Sequence, residues 1–353
     1  MKTLLTIFSL GFFAGLGLMW SVSAFSNNQL GTQNSDNVCS SDYQEVREPG
    51  YQLIAPLLEC DAGFIAQRNT SLHTELLDYF TSINIQDTAS LYFRDLNTGM
   101  WIGINEDKLF PSASMSKVIG VITAYKMYEE DPAFFDEEHI YTNQFEYTRN
   151  VPENGSEDFH LQPDTRYTVR ELVRRALVYS DNEAIQFLRY IMEKKNPQIS
   201  NDMVERFSMN IVNGEVTLKN YSNVFRILYN ASFLSRSSSE EILKILTETT
   251  FEDGMVAAIP KDVRVAHKFG FFDRGANLDE PYRFNHCGIV YLPQKPYLLC
   301  ISIPTDDLDS FRDSVEWTEE ISRITYQWVV AQKSTTNSVS EDKRWTFTHS
   351  TLK

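Results

Sequence analysis

Apolar positions recur every second residue near both ends of the chain's central body, and every third or fourth residue between those ends. The body opens on "YQLIAPLLEC", a short strand-like run, and continues with "SLHTELLDYFTSI". There Leu72, Leu76, Leu77 and Phe80 follow a polar cap at Ser71 and predict a helix. "ASLYFRDLNTGMWIGIN" reads as two strands joined by Asn97-Thr98-Gly99, a hairpin signal. From Ser114 to about residue 257 the period is mainly helical, as in "SMSKVIGVITAYKMYEE", "TVRELVRRALVYSDNEAIQFLRYIMEK" and "TLKNYSNVFRILYNASFL". Strand character returns in "VRVAHKFGFF", "NHCGIVYL" and "YLLCISIP", and an amphipathic helix, "RDSVEWTEEISRITYQWVVAQ", closes the body. The expected fold is α/β of the α+β kind. Both ends of the chain contribute strands to one antiparallel sheet, the first and last helices cover it, and an all-helical lobe is inserted. No internal repeat is present.

Outside this body the pattern stops. Residues 1–24 start with Lys2, run apolar from Leu4 to Trp20 and end in Val22-Ser23-Ala24. That is the make-up of a signal peptide, and the run is also long enough for an N-terminal membrane anchor. The expected location is therefore exported, periplasmic or extracellular, with membrane attachment through the N-terminus left open. Gly11, Gly15 and Gly17 belong to this apolar run and not to a nucleotide-binding loop. Residues 25–50 read as a polar linker and 333–353 as a polar tail, which leaves 51–332 as the folded domain.

Composition changes this picture only at its margins. Hydrophobic residues make up 42%, including 23 Phe and 17 Tyr, enough for a sizeable core. The net charge of −16, with no long Lys/Arg cluster, argues against nucleic acid as a partner. Of the four cysteines, Cys39, Cys60, Cys287 and Cys300, the last two flank a Pro-bounded turn. A cross-strand disulfide and a pair of buried thiols both suit that spacing. There is no Cys-x-x-Cys and no His-x-His or His-x-x-x-His, so no metal and no cofactor are expected.

Candidate chemistry appears as strings that occur twice. Ser-x-x-Lys is found at Ser114–Lys117 and at Ser340–Lys343, and Ser-Asp-Asn at Ser35–Asn37 and at Ser180–Asn182. The copies at 35 and 340 lie in the polar linker and tail, which have no apolar periodicity to hold a side chain in fixed geometry. Ser114 begins a helix, and Lys117 lies one turn along on nearly the same face. A serine hydroxyl needs a base to become a nucleophile, and a desolvated lysine at the positive end of a helix can serve. Ser180-Asp181-Asn182 breaks two helical segments, where Ser180 could relay a proton and Asn182 could bond a substrate amide. Lys268, Phe269 and Gly270 lie on a predicted strand, where a glycine lets a ligand approach the backbone.

Taken in this order, the three elements resemble the signature of the penicillin-recognising serine hydrolases: Ser-x-x-Lys, Ser-Asp-Asn, then Lys-Thr/Ser-Gly. Over about residues 70–330 the wider pattern is similar to the class A β-lactamases. "YFRDLNTGMWIGINEDKLFPSASMSKV" looks like that family's hairpin leading to the nucleophile. The resemblance implies Ser114 as the acylated nucleophile, Lys117 as its proton partner and Ser180 as the shuttle to the leaving nitrogen. It further implies Asn182 at the substrate amide, Lys268 at the substrate carboxylate and at Ser180, and an oxyanion hole from the N–H groups of Ser114 and Phe271, beside Gly270. The implied partner is a small β-lactam or a cell-wall peptide, handled by a monomer. Two departures stand out. Phe269 replaces the usual hydroxyl residue. The segment "NPQISNDMVERFSMNIVNGEVTLKNY" is short and lacks Glu-x-x-Leu-Asn, with Glu205 and Glu215 its only glutamates. The class A pattern thus implies acylation followed by slowed hydrolysis. The alternatives are a D,D-peptidase-like enzyme or a penicillin-binding domain that does not turn over.

Overall fold

A computed structural model describes residues 51–55, 70–146, 160–199, 215–273, 281–307 and 311–332. Helix α1 (Ser71–Ser82) is capped by Thr70, whose side chain accepts from the His73 N–H. The cap is thus one residue earlier than expected, because Ser71 is used elsewhere: its hydroxyl accepts from the indole N–H of Trp328 at 2.8 Å. Leu72, Leu76 and Phe80 form one buried stripe, while Leu77 lies off it and is exposed. Full burial of such side chains contributes about 1.5–3 kcal/mol each.

Strands β1 (Ser90–Asp95) and β2 (Trp101–Ile104) follow as the expected hairpin. The Asp95 carboxylate accepts from the Asn97 and Thr98 N–H groups, and Gly99 takes the positive φ of 74° that the turn requires. Then come β3 (Leu109–Pro111) and a 3₁₀ turn, Ala113–Ser116, that leads into α2 (Lys117–Glu130). Strands β4 (Glu138–Tyr141) and β5 (Thr165–Thr168) precede α3 (Val169–Val178), and α4 (Asn182–Lys195) follows. After β6 (Glu215–Thr217) lie α5 (Leu218–Tyr229) and α6 (Arg236–Leu246). The chain then runs through β7 (Val265–Phe272), β8 (Tyr282–Val290) and β9 (Tyr297–Thr305) to α7 (Phe311–Ala331).

The main sheet is antiparallel in the order β2-β1-β9-β8-β7, so strands from both ends of the chain meet and β7 is left at an edge. Period-2 alternation sends its side chains into two cores. Leu91, Phe93, Leu299, Ile301 and Ile303 pack beneath α1 and α7. Tyr92, Ala266, Ile289 and Leu298 face the helical lobe. Among the described residues that lobe is not all-helical as expected but carries a two-stranded ribbon, β4 with β5, while β6 pairs with β3.

Tyr51–Ala55 does not form the expected strand. Its N–H groups find a side chain in place of a neighbouring strand. The Glu240 carboxylate on α6 accepts from Gln52, Leu53 and Ile54, and the Ala55 N–H donates to the Tyr229 carbonyl. Leu53 and Ile54 are thereby set into the helical-lobe core. Cys287 and Cys300 stand directly opposite on β8 and β9 and are joined as a disulfide. Cys39, Cys60, the N-terminal 24 residues, the linker and the tail lie outside the described residues. Among the described residues, no helix is long and apolar enough to cross a membrane.

Candidate active site

The approach to Ser114 is pinned from both sides. β6 pairs with β3, the Asn285 side-chain amide donates to the Pro111 carbonyl at 2.9 Å, and the buried Tyr221 hydroxyl donates to the Met115 carbonyl at 2.8 Å. Asn285 is held in turn by Ser302, whose hydroxyl donates to its Oδ1 at 2.7 Å. Between these anchors Ala113 adopts φ 47°, a left-handed conformation that costs a residue with a Cβ. The chain therefore enters the helix with Ser114 on its opening turn. The Ser114 N–H finds no acceptor among the described residues, as expected of an N-terminal turn.

Ser180 is the second left-handed residue of the site, at φ 55° between α3 and α4. Asp181 makes this turn by capping α4, accepting from the Ala184 N–H at 3.0 Å and pairing with Arg175 Nε at 3.0 Å. Burial raises the Asp181 carboxyl above its usual range, opposed by the Ala184 N–H and the Arg175 guanidinium. Thr250 secures the end of α3, its N–H and hydroxyl both reaching the Val178 carbonyl. Asn182 occupies the first position of α4 and is partly exposed.

Both lysines converge on this turn. Lys117 is buried, and its Nζ lies 2.7 Å from Ser114 Oγ, 2.6 Å from the Ser180 carbonyl and 3.1 Å from Ser180 Oγ. Lys268, on β7, is 0% exposed and places its Nζ 2.8 Å from Ser180 Oγ and 2.9 Å from the Phe269 carbonyl. A continuous chain of polar contacts thus joins Ser114, Lys117, Ser180 and Lys268, although 154 positions separate the first from the last in sequence (268 − 114).

The free edge of β7 lies against the nucleophile turn. A Cβ on Gly270 would fall 3.0 Å from the Ser114 N and 3.1 Å from both the Met115 N and the Ser112 O. Glycine is thus required at this position by backbone approach. Phe271 is the next residue along that edge, its ring packed edge-on against Phe311 at 4.4 Å. Of the two glutamates in the short segment, Glu215 sits on β6 opposite Pro111 and acts electrostatically on Arg283; Glu205 lies outside the described residues. Among the described residues, no group of His, Cys, Asp or Glu side chains is placed to hold a metal.

The structure therefore brings Ser114, Lys117, Ser180, Lys268 and Gly270 together, with Asn182 and Phe271 on the adjoining helix start and strand. Sequence reasoning did not single out Arg175, Tyr221, Phe251 or Asn285. For Arg175, the signal was its position on the helix leading to an Asp cap. The other three act through pairings far apart in sequence and carry no local pattern. Phe251 stacks on Phe269 with ring centroids 3.9 Å apart and planes 21° apart.

Solved structures share this architecture. "PBP-A" aligns at 20% identity over 74% of this chain and 96% of that one, with a TM-score of 0.58. A variant of PBP-A, described as an acyl-enzyme complex with penicillin G, aligns at 20% identity over 72% and 96%, with a TM-score of 0.57. A class A β-lactamase from Mycobacterium abscessus aligns at 20% identity over 74% and 100%, with a TM-score of 0.59. At these identities the likeness establishes the fold. No curated protein sequence matches the chain. The β-lactamase enzyme family matches residues 72–329, which span the sheet, the helical lobe and every site residue described above. On that match, the chain belongs to the β-lactamase enzyme family.

Proposed function

We propose that this β-lactamase-like hydrolase works by acyl transfer to Ser114, with a β-lactam or a related amide as acyl donor. The observation that carries the reading is the 2.7 Å contact between Lys117 Nζ and Ser114 Oγ, continued through Ser180 to Lys268. A neutral amine offers two N–H donors and one lone pair. Those functions match the Ser180 carbonyl, Ser180 Oγ and the Ser114 hydroxyl proton, and an amine taken out of water gives up its charge more readily. In the acylation step Ser114 Oγ bonds to the carbonyl carbon, its proton passes to Lys117, and the C–N bond breaks. The leaving nitrogen takes a proton from Ser180, which recovers one through Lys117. Lys268 keeps Ser180 Oγ oriented by donating to it. The N–H groups of Ser114 and Phe271 face the developing oxyanion, and Asn182 contacts the acyl amide.

A second reading, acylation with little turnover, is favoured by the short segment after α4 and by Glu215 acting on Arg283. Both readings place the protein outside the cytoplasm, because the first 24 residues have signal or anchor character. Intact-mass measurement over time after adding benzylpenicillin separates the outcomes. A decaying adduct supports hydrolysis, and a stable adduct supports the binding domain. No adduct removes the acylation reading.

A further inference from the structure

The corner beside Lys268 is built from aromatic rings where a hydroxyl-bearing residue would offer a hydrogen bond. Phe269 and Phe251 are stacked, both only partly buried, and Lys268 Nζ lies 4.3 Å from the centroid of the Phe269 ring. The Lys268 ammonium is therefore enclosed by Ser180 Oγ, the Phe269 carbonyl and this ring, with no exposed surface. An anion approaching here meets hydrocarbon before it meets charge. It would lose water against two rings without gaining a hydrogen bond, which is strongly unfavourable for a carboxylate. An apolar or uncharged group would gain from the same surface.

A second cation on this face of the sheet, at the strand end beyond Gly270, is engaged elsewhere. Arg283, opposite Phe272, donates to Ser302 Oγ at 3.1 Å and feels the charge of Glu215. Asn285, opposite Gly270, spends its amide on the Pro111 carbonyl. Among the described residues near Gly270, the polar groups thus hold the nucleophile turn together and leave the rings to meet the substrate.

We infer that the Phe251–Phe269 wall selects acyl donors whose leaving-group side is uncharged at this corner: neutral amides, lactams or esters in preference to carboxylates. This rests on Ser114 acylation as proposed above and adds to it the chemistry of the substrate. The discriminating pair is benzylpenicillin and its methyl ester, which present the same β-lactam and side chain and differ only at the carboxylate, which stays in the adduct. Acylation of Ser114 by each is followed by intact mass, and each rate is divided by that compound's hydroxide hydrolysis rate.

The expected result is a normalised ester rate at least equal to that of the acid. In Phe269→Thr the ratio should swing toward the acid by about ten-fold or more, as a new hydrogen bond to a charged group allows. Phe269→Ser, with circular dichroism to check folding, provides a second version of the swap. A wild type that prefers the acid by about ten-fold, or folded variants that leave the ratio unchanged, would overturn the inference. Either result would still show an adduct, so acyl transfer at Ser114 would survive it. Labelling by neither compound would remove acyl transfer, and this inference with it.

Discussion

Strand β7 has two faces of opposite chemistry, set by residues one position apart. On the site face, Lys268 and Gly270 meet the Ser180 turn and the nucleophile turn, and the contacts are polar and directional. On the other face His267 is buried against His286, while at the strand's edge the Phe269 ring, stacked on Phe251, reaches round to within 4.3 Å of Lys268 Nζ. The buried histidines form a fixed sequence of donors. The Met255 N–H donates to His286 Nδ1, so the His286 proton sits on Nε2 and is donated to His267 Nδ1 at 2.9 Å. Both rings are held neutral: burial, reinforced by the neighbouring Lys268 charge, lowers the His267 pKa to about 3 and drives His286 well below the ordinary value. The contrast shows how one edge strand can keep a cation ready on one side. A neutral, acceptor-matched pair on the other side adds no positive charge next to Lys268.

The site face carries the largest expected effect. Ser114→Ala should abolish covalent labelling by penicillin-type reagents, since Ser114 Oγ lies 2.7 Å from Lys117 Nζ, while Ser340→Ala, in a polar tail without apolar periodicity, should leave labelling unchanged. Labelling that persists in Ser114→Ala, located by peptide mapping, would end the comparison by removing its chemical side.

A smaller split is expected between the two lysines. Lys117→Ala removes the group placed to move the proton and should slow acylation by about 10²–10⁴-fold. Lys268→Ala removes a group that orients Ser180 and should cost less. The measurement is the acylation rate of both variants over a pH series. Equal losses with the same pH profile would show that the lysines act as a single unit.

The histidine face makes its prediction through stability. Its folded pKa values lie below the unfolded value of about 6.5, so the unfolded chain binds more protons as pH falls. The contribution of neutral His267 and His286 is fully present above about pH 6.5 and declines below it, toward pH 3 for His267. At pH 5 the buried His267 should have lost about 2 kcal/mol of stabilisation, and His286 acts in the same direction. Asp181, whose carboxyl is held above its usual range by burial, works in the opposite sense on acidification. Urea unfolding between pH 7.5 and 5.0 measures the histidine effect, and His267→Gln, which keeps an acceptor for His286 Nε2–H, should reduce the slope. A flat profile in the wild type would contradict the buried neutral pair.

Legibility in the sequence follows the same divide. The alternation in "VRVAHKFGFF" predicted β7, and the spacing of Ser114 to Lys117 predicted that both would share one turn of a helix start. The helix break at Ser180 was visible because "TVRELVRRALVY" is strongly amphipathic and an Asp cap follows. Contacts between distant segments were not visible. Phe251 has no periodic signal linking it to Phe269, and the histidine pair depends on the register that sets Phe269 opposite His286. The "YQLIA" run misled for a related reason. Its apolar residues are buried as a strand's would be, but the partner for its N–H groups is one carboxylate nearly 190 positions away.

That carboxylate supplies the smallest and most selective prediction. Glu240 accepts three backbone N–H groups from Gln52, Leu53 and Ile54 and so ties the start of the folded domain to α6, remote from both faces of β7. Glu240→Ala should free those donors and loosen Leu53 and Ile54 from the helical-lobe core. Because the Gln52 bond is exposed and the other two are only partly buried, water can replace part of what is lost. The expected cost is about 1–2 kcal/mol, at the lower end for hydrogen bonds to a charged group. Denaturant titration should show that loss, and Glu240→Gln should recover part of it by keeping an acceptor oxygen. Acylation of Ser114, measured in the folded variant, should match the wild type, since among the described residues the hydrogen bonds of Glu240 go to Gln52, Leu53 and Ile54 and not to the site. A parallel fall in acylation would mean that the N-terminal strap helps set the active site, and that stability and chemistry in this protein are less separable than the two faces of β7 suggest.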